Sequence, residues 1–154
     1  MAHYHYTASG LANVWLANGY RFVETPYGDA VEIDRVEALH RAIGLAICRK
    51  PVTNGRELRY LRTELDLSQG ELGKLFGKTD QTIAIWEKGR DVPRWADTLV
   101  RALYRERIEG RVKLAEIFST SEKVIGNSRS TRLTFHKSAN GAWTPVTSPV
   151  RAAA

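Results

Sequence analysis

Ser68-Gln69-Gly70-Glu71-Leu72, then Gly77, then Thr82-Ile83-Ala84-Ile85-Trp86-Glu87-Lys88-Gly89 is the stretch on which the fold turns. Ser68 and Glu71 have capping-box spacing: the hydroxyl accepts a backbone N–H and the glutamate reaches back to the cap. Leu72, Leu75 and Phe76 then mark one apolar helix face. Gly77 ends that helix, because a left-handed residue is cheapest without a side chain. Thr79 caps a further helix from Asp80 to about Lys88, with Ile83 and Trp86 as its buried anchors, and Gly89 closes it.

Outward from this pair, Glu57 to Leu65 forms a preceding helix with Leu58, Leu61 and Leu65 on one stripe. Pro93 suits the first turn of a following helix, where no N–H is needed. Ala96, Leu99, Val100 and Leu103 line its inner face to about Ile108. Lys113 to Phe118 continues as helix, and the polar run Ser119 to Ser130 reads as loop.

In register, these residues resemble the XRE/Cro-like helix-turn-helix family over roughly residues 54–108. Two positions depart from its common pattern. Gly73 stands where Ala is usual, and Lys78 where a small apolar residue packs; both loosen the turn without abolishing the fold. The resemblance implies a recognition helix lying in the major groove of double-stranded DNA. Its outward face holds Thr79, Asp80, Gln81, Ala84, Ile85 and Lys88. Carried over position by position, Thr79, Asp80, Gln81 and Ile85 read bases. Gln81 suits a bidentate pair with adenine, worth ~1–3 kcal/mol of discrimination, and Ile85 suits a thymine methyl. Asp80 either accepts from cytosine N4 or supports the positive end of its own helix. Gln69, Lys88, Arg90 and Arg94 fall where phosphates are held, which fixes position rather than sequence.

Composition agrees with an acidic partner. The 154 residues carry 23 Lys and Arg against 17 Asp and Glu, a formal charge of +6. Residues 1–50 are neutral, 51–112 carry +2 and 113–154 carry +4. With 43% apolar residues the chain can bury a core. No apolar run reaches the roughly 18 residues that span a bilayer, and the N-terminus lacks the order of a signal peptide. Cys48 stands alone, which leaves neither an internal disulfide nor a multi-thiolate zinc site.

The flanks read as strands. Val14 to Ala17 and Tyr20 to Val23 frame Asn18-Gly19 as a two-residue hairpin. Pro26 to Asp29 makes a second turn and Ala30 to Ile33 a third strand. Asp34 then caps a helix from about Val36 to Cys48, with Leu39, Ile43 and Ile47 inward. Near the other end, Thr131 to His136 and Ala142 to Thr144 flank Ser138-Ala139-Asn140-Gly141 as a hairpin. Pro145 onward frays, and Arg151-Ala152-Ala153-Ala154 reads as an appended tail. This layout, with Gly10-Leu11-Ala12-Asn13-Val14-Trp15-Leu16, distantly resembles MqsA-type antitoxins, but the Cys-x-x-Cys pairs that would hold zinc are absent. His3 and His5 alternate on one strand face without a visible third ligand, so no metal is expected.

The expected fold class is α+β: a small N-terminal antiparallel sheet with a helix (1–50), a lambda-repressor-like helical domain (51–112), and a C-terminal basic extension with a hairpin (113–154). The expected function is a sequence-specific transcription regulator, a dimeric and autoregulatory repressor on a palindromic operator, cytoplasmic and nucleoid-associated. The alternative is an antitoxin that masks a toxin protein and autoregulates its operon. Aromatic residues Tyr4, Tyr6, Trp15, Tyr20, Phe22 and Tyr27 supply either the sheet's own core or a partner surface. Leu133, Phe135 and Trp143 offer a second dimerisation candidate, while Arg129, Arg132 and Lys137 could lie along flanking DNA. No phosphate loop, paired carboxylate motif or nucleophile elbow is present, so neither enzymatic activity nor a cofactor is expected.

Overall fold

The computed structural model describes residues 2–89, 91–110 and 132–146. The expected helix at Lys113–Phe118, the loop at 119–130, Arg90, Arg129 and the tail from residue 147 lie outside the described residues. The chain divides into two compact units, one of residues 1–42 with 130–154 and one of residues 43–129.

The first unit is built on a four-stranded sheet in the order β1-β2-β5-β6. Its strands are β1 (Tyr4–His5), β2 (Val14–Leu16), β5 (Leu133–Lys137) and β6 (Trp143–Pro145). Between β2 and β5 in sequence come β3 (Tyr20–Thr25) and β4 (Gly28–Ile33), which pair only with each other. β2 runs antiparallel to β1 and parallel to β5, with Trp15 opposite Thr134 and Leu16 opposite Phe135. Pleating puts Val14, Leu16, Phe135 and Trp143 on one buried face, and Tyr6, Leu11 and Leu39 of the same unit are also buried.

Three expectations are corrected here. Asn18-Gly19 does not join a hairpin; it carries the chain from one sheet to the other. The Asn18 amide behaves like a strand residue, donating to the Lys137 carbonyl at 3.1 Å and accepting from its N–H at 2.7 Å. Gly19 turns the chain at φ +76°, and a Cβ there would run into the Trp143 indole. Asp34 does not sit at the helix boundary as its cap. Its carboxylate pairs with the Lys137 ammonium, and Arg35 at φ +49° precedes the helix. Pro145, expected to fray, belongs to β6.

The second unit is helical. α1 (Val36–Cys48) runs into it from the first, followed by α2 (Gly55–Glu64), α3 (Gln69–Phe76), α4 (Asp80–Lys88) and α5 (Arg94–Glu109). α2 starts two residues earlier than its leucine stripe suggests, because Asn54 and Glu57 form a second capping box. Ile43, Ile47, Leu58, Leu61, Leu72, Ile83, Val100 and Tyr104 are buried in the core. Each such aliphatic side chain contributes about 1.5–3 kcal/mol. Leu75 and Leu99, expected inward, are 62% and 45% exposed. Each lies at the margin of its stripe, where period alone does not say which side neighbours cover.

Polar groups buried at the start of α2 and on α5 are all partnered. The Thr53 hydroxyl donates to Asp97 at 2.5 Å, and Arg101 pairs with Asp97 at 2.9 Å while donating to the Lys50 carbonyl. Lys50 pairs with Glu57 at 2.7 Å. Among the described residues no buried side-chain nitrogen or oxygen lacks a hydrogen-bond partner.

Candidate nucleic-acid interface

α3 and α4 meet across a turn built as its residues dictate. Ser68 accepts from the Glu71 N–H at 3.1 Å, and the Glu71 carboxylate accepts from the Ser68 N–H at 2.7 Å. Those bonds hold the Glu71 carboxyl below the usual glutamate range. Gly77 takes the left-handed conformation at φ +66°. The Lys78 N–H then returns to the Gly73 carbonyl at 2.7 Å.

Gly73 does not loosen this turn, as expected from sequence; it permits it. Gly73 is buried, and a Cβ on it would lie 2.7 Å from the Lys78 carbonyl oxygen and 3.1 Å from the Thr79 backbone. Lys78, the other departure, leaves no gap in the core because its side chain is exposed.

α4 is fixed from its inner side. Ile83 is completely buried, and the buried Glu87 carboxylate pairs with Arg62 of α2 at 2.5 Å. Trp86, expected in the core, is half-buried; its ring packs edge-on against Trp95 at 5.7 Å, and Trp95 packs against Phe76 at 5.4 Å. At the far end, a Cβ on Gly55 would meet the carbonyls of Trp86, Glu87 and Gly89. The start of α2 therefore abuts the C-terminal carbonyls of α4, opposite ends of two helix dipoles.

With that side held, the outward face follows. Thr79, Asp80, Gln81, Ile85 and Lys88 are exposed, Ile85 to 68%, and Ala84 is half-buried. Within this set the groups differ in freedom. The Thr79 hydroxyl accepts from the Thr82 N–H at 3.3 Å as the helix cap, and Asp80 accepts from the Gln81 N–H at 2.8 Å. Asp80 thus supports its own helix N-terminus, one of its two expected roles. The Gln81 side chain has no partner among the described residues, so its amide donor and acceptor are both open.

Gln69 at the start of α3 is half-buried, and its amide donates to Glu87 at 2.8 Å. Sequence reasoning missed this tie between α3 and α4. The glutamate of the Trp-Glu-x-Gly ending was its only signal. Lys88 and Arg94 are exposed at the end of α4 and the start of α5; Arg90 lies outside the described residues. Cys48 offers no nucleophile, since burial pushes its thiol up to about 12. Among the described residues no cluster of His, Cys, Asp or Glu could hold a metal, and no helix is long and apolar enough to cross a membrane.

Residues 58–94, spanning α2 to the start of α5, match the family model described as helix-turn-helix. No curated protein and no solved structure matches the chain. The α2–α4 segment is accordingly a helix-turn-helix of the XRE/Cro-like type, the DNA-binding module of a transcription regulator.

Proposed function

We propose that the protein is a sequence-specific repressor that binds as a homodimer to a two-fold operator and regulates its own promoter. A single helix-turn-helix meets only a few base pairs, so a second copy on the same site supplies the missing specificity. Gln81 and Ile85 read base edges, Thr79 and Asp80 approach them from the helix start, and Gln69, Lys88, Arg90 and Arg94 hold phosphates. The observation carrying this reading is the outward Gln81 and Ile85 on a helix pinned from behind by Ile83 and Glu87.

The test is a selection on random duplexes followed by binding measurements on variants. Half-sites about one helical turn (~10 bp) apart, or a small multiple, are expected. Gln81→Ala should flatten preference at one base pair per half-site by ~1–3 kcal/mol, while Arg94→Ala should weaken all sequences alike and reduce the salt slope. Equal effects of both variants on every sequence would remove the division of roles. Absence of any complex at low salt would end the repressor reading.

A second reading, the antitoxin, draws on the hairpin of β3 and β4. There Phe22 is 69% exposed and Tyr27 fully exposed, and Glu24 faces Asp29 across the strands. Such an apolar and acidic surface suits a protein rather than DNA. A toxin encoded beside this gene that co-purifies with the chain, and is released by Phe22→Ser, would support it.

A further inference from the structure

All four strands of the β1-β2-β5-β6 sheet come from residues 2–23 and 132–146, which contain no aspartate or glutamate. The same residues carry Arg21, Arg132, Lys137 and three of the four histidines. Arg21 is paired with Glu32 and Lys137 with Asp34. Arg132 has no carboxylate partner among the described residues.

Strand alternation sorts these groups by face. Opposite the buried face the sheet presents His5, Trp15, Thr134, His136 and Thr144, none of them buried. Trp15 stands at the centre. The His5 ring stacks on it at 4.3 Å and 11°, and the Arg132 guanidinium lies 4.1 Å from the ring centroid. His5 sits on β1 and Arg132 just before β5, the two neighbours of β2, so they reach the indole from opposite flanks. Arg132 is further held by His3 Nδ1 at 3.0 Å, and His5 by the Ala12 carbonyl at 2.8 Å. The guanidinium is thereby fixed before any ligand arrives, so little rotamer entropy remains to be lost on binding.

We propose that this sheet face, centred on Arg132 clamped against Trp15, is a second duplex-DNA contact that grips the phosphodiester backbone without reading bases. Charge decides the class of partner: a face with no carboxylate and an uncompensated guanidinium among the described residues suits a polyanion. The indole decides between duplex and single strand. Single-strand binders stack bases on open aromatic rings, whereas both flanks of this ring are engaged. A backbone contact needs only the guanidinium donors and the neighbouring hydroxyls and imidazoles. One cation is weak alone, but a duplex already held by the helix-turn-helix of the same chain is presented at high effective concentration. The inference rests on the reading of the chain as a duplex binder.

The experiment is fluorescence anisotropy of the full chain on a selected site, alone or with flanking duplex on both sides, and on a single strand of equal length. Arg132→Ala and His136→Glu are compared with Arg94→Ala over a salt series. On the flanked duplex, Arg132→Ala should weaken binding about fivefold and lower the log–log salt slope by about one, with base preference unchanged. On the bare site it should match wild type. His136→Glu, at an exposed position, should lose more, and keeps the test decisive if Arg132→Ala fails to fold. Unchanged affinity and slope on the flanked duplex would overturn the proposal while leaving the helix-turn-helix reading intact. So would a loss confined to the single strand, or a loss of self-association in place of DNA binding. Failure of the wild type to bind any duplex would overturn both readings together.

Discussion

Asp97 carries a charge that its own burial opposes. Burial pushes its carboxyl above the ordinary aspartate range, against the pull of Arg101 and of the Thr53 hydroxyl. A carboxyl raised in the folded state adds stability below its unfolded pKa of about 3.9 and loses that stability as pH rises through the folded value. Asp97→Asn should therefore gain on wild type as pH rises through that window, in urea melts at a series of pH values. Arg101→Met is the opposite case. It leaves the carboxylate buried without its cation and should cost about 3 kcal/mol at pH 7. Gly73 is a different kind of dependence, steric rather than electrostatic. Gly73→Val would drive a branched side chain into the Lys78 carbonyl and should lower stability by about 2 kcal/mol, read as a fall in Tm. A variant as stable as wild type would show that the turn yields freely.

At the scale of elements, α3 depends on a cap that can be titrated. Because its bonds to Ser68 lower the Glu71 pKa, the cap's contribution is present at neutral pH and is lost as pH falls through the folded value. Glu71→Gln keeps the box without the charge, so it should lose less stability than wild type between about pH 5 and pH 3. An identical acid limb in both proteins would count against the cap. The helices were legible in the sequence for the same local reasons that make them testable. Ser68, Gly77 and Thr79 act within four residues of themselves, so their chemistry marks α3 and α4 almost to the residue. The sheet was not legible in that way. Val14 pairs with Leu133 across more than a hundred residues, and no local period encodes such a partner. Asn18-Gly19 misled because the signal for a tight turn also serves a change of sheet. In the interface, spacing found the exposed positions Gln81 and Ile85. It could not find that Glu87 ties Gln69 and Arg62 together, since that bond needs three helices already in place.

On the scale of the whole molecule, the helical unit is an insertion between two halves of a sheet. Strand β2 has β1 on one side and β5 on the other, and β5 comes from the far side of the helices in sequence. Ending the chain at residue 131 should therefore leave the helical unit cooperative in thermal melts but remove Phe135 and Trp143 from the sheet and expose Val14 and Leu16 of β2. Near-UV circular dichroism from Trp15 should be lost, with dye binding gained; a truncated chain that keeps both signals would show that β1 and β2 hold without β5. The parallel β2–β5 pairing also sets an order of events during synthesis. When the ribosome has delivered β1 and β2, their partner strand is still untranslated. The contiguous helices can pack as soon as they emerge, since their contacts are local. Strands β1 and β2 are thus made before the helices yet reach their final state after them, and from the completion of α5 until β5 is delivered the nascent chain carries a helical unit behind an unpaired strand edge.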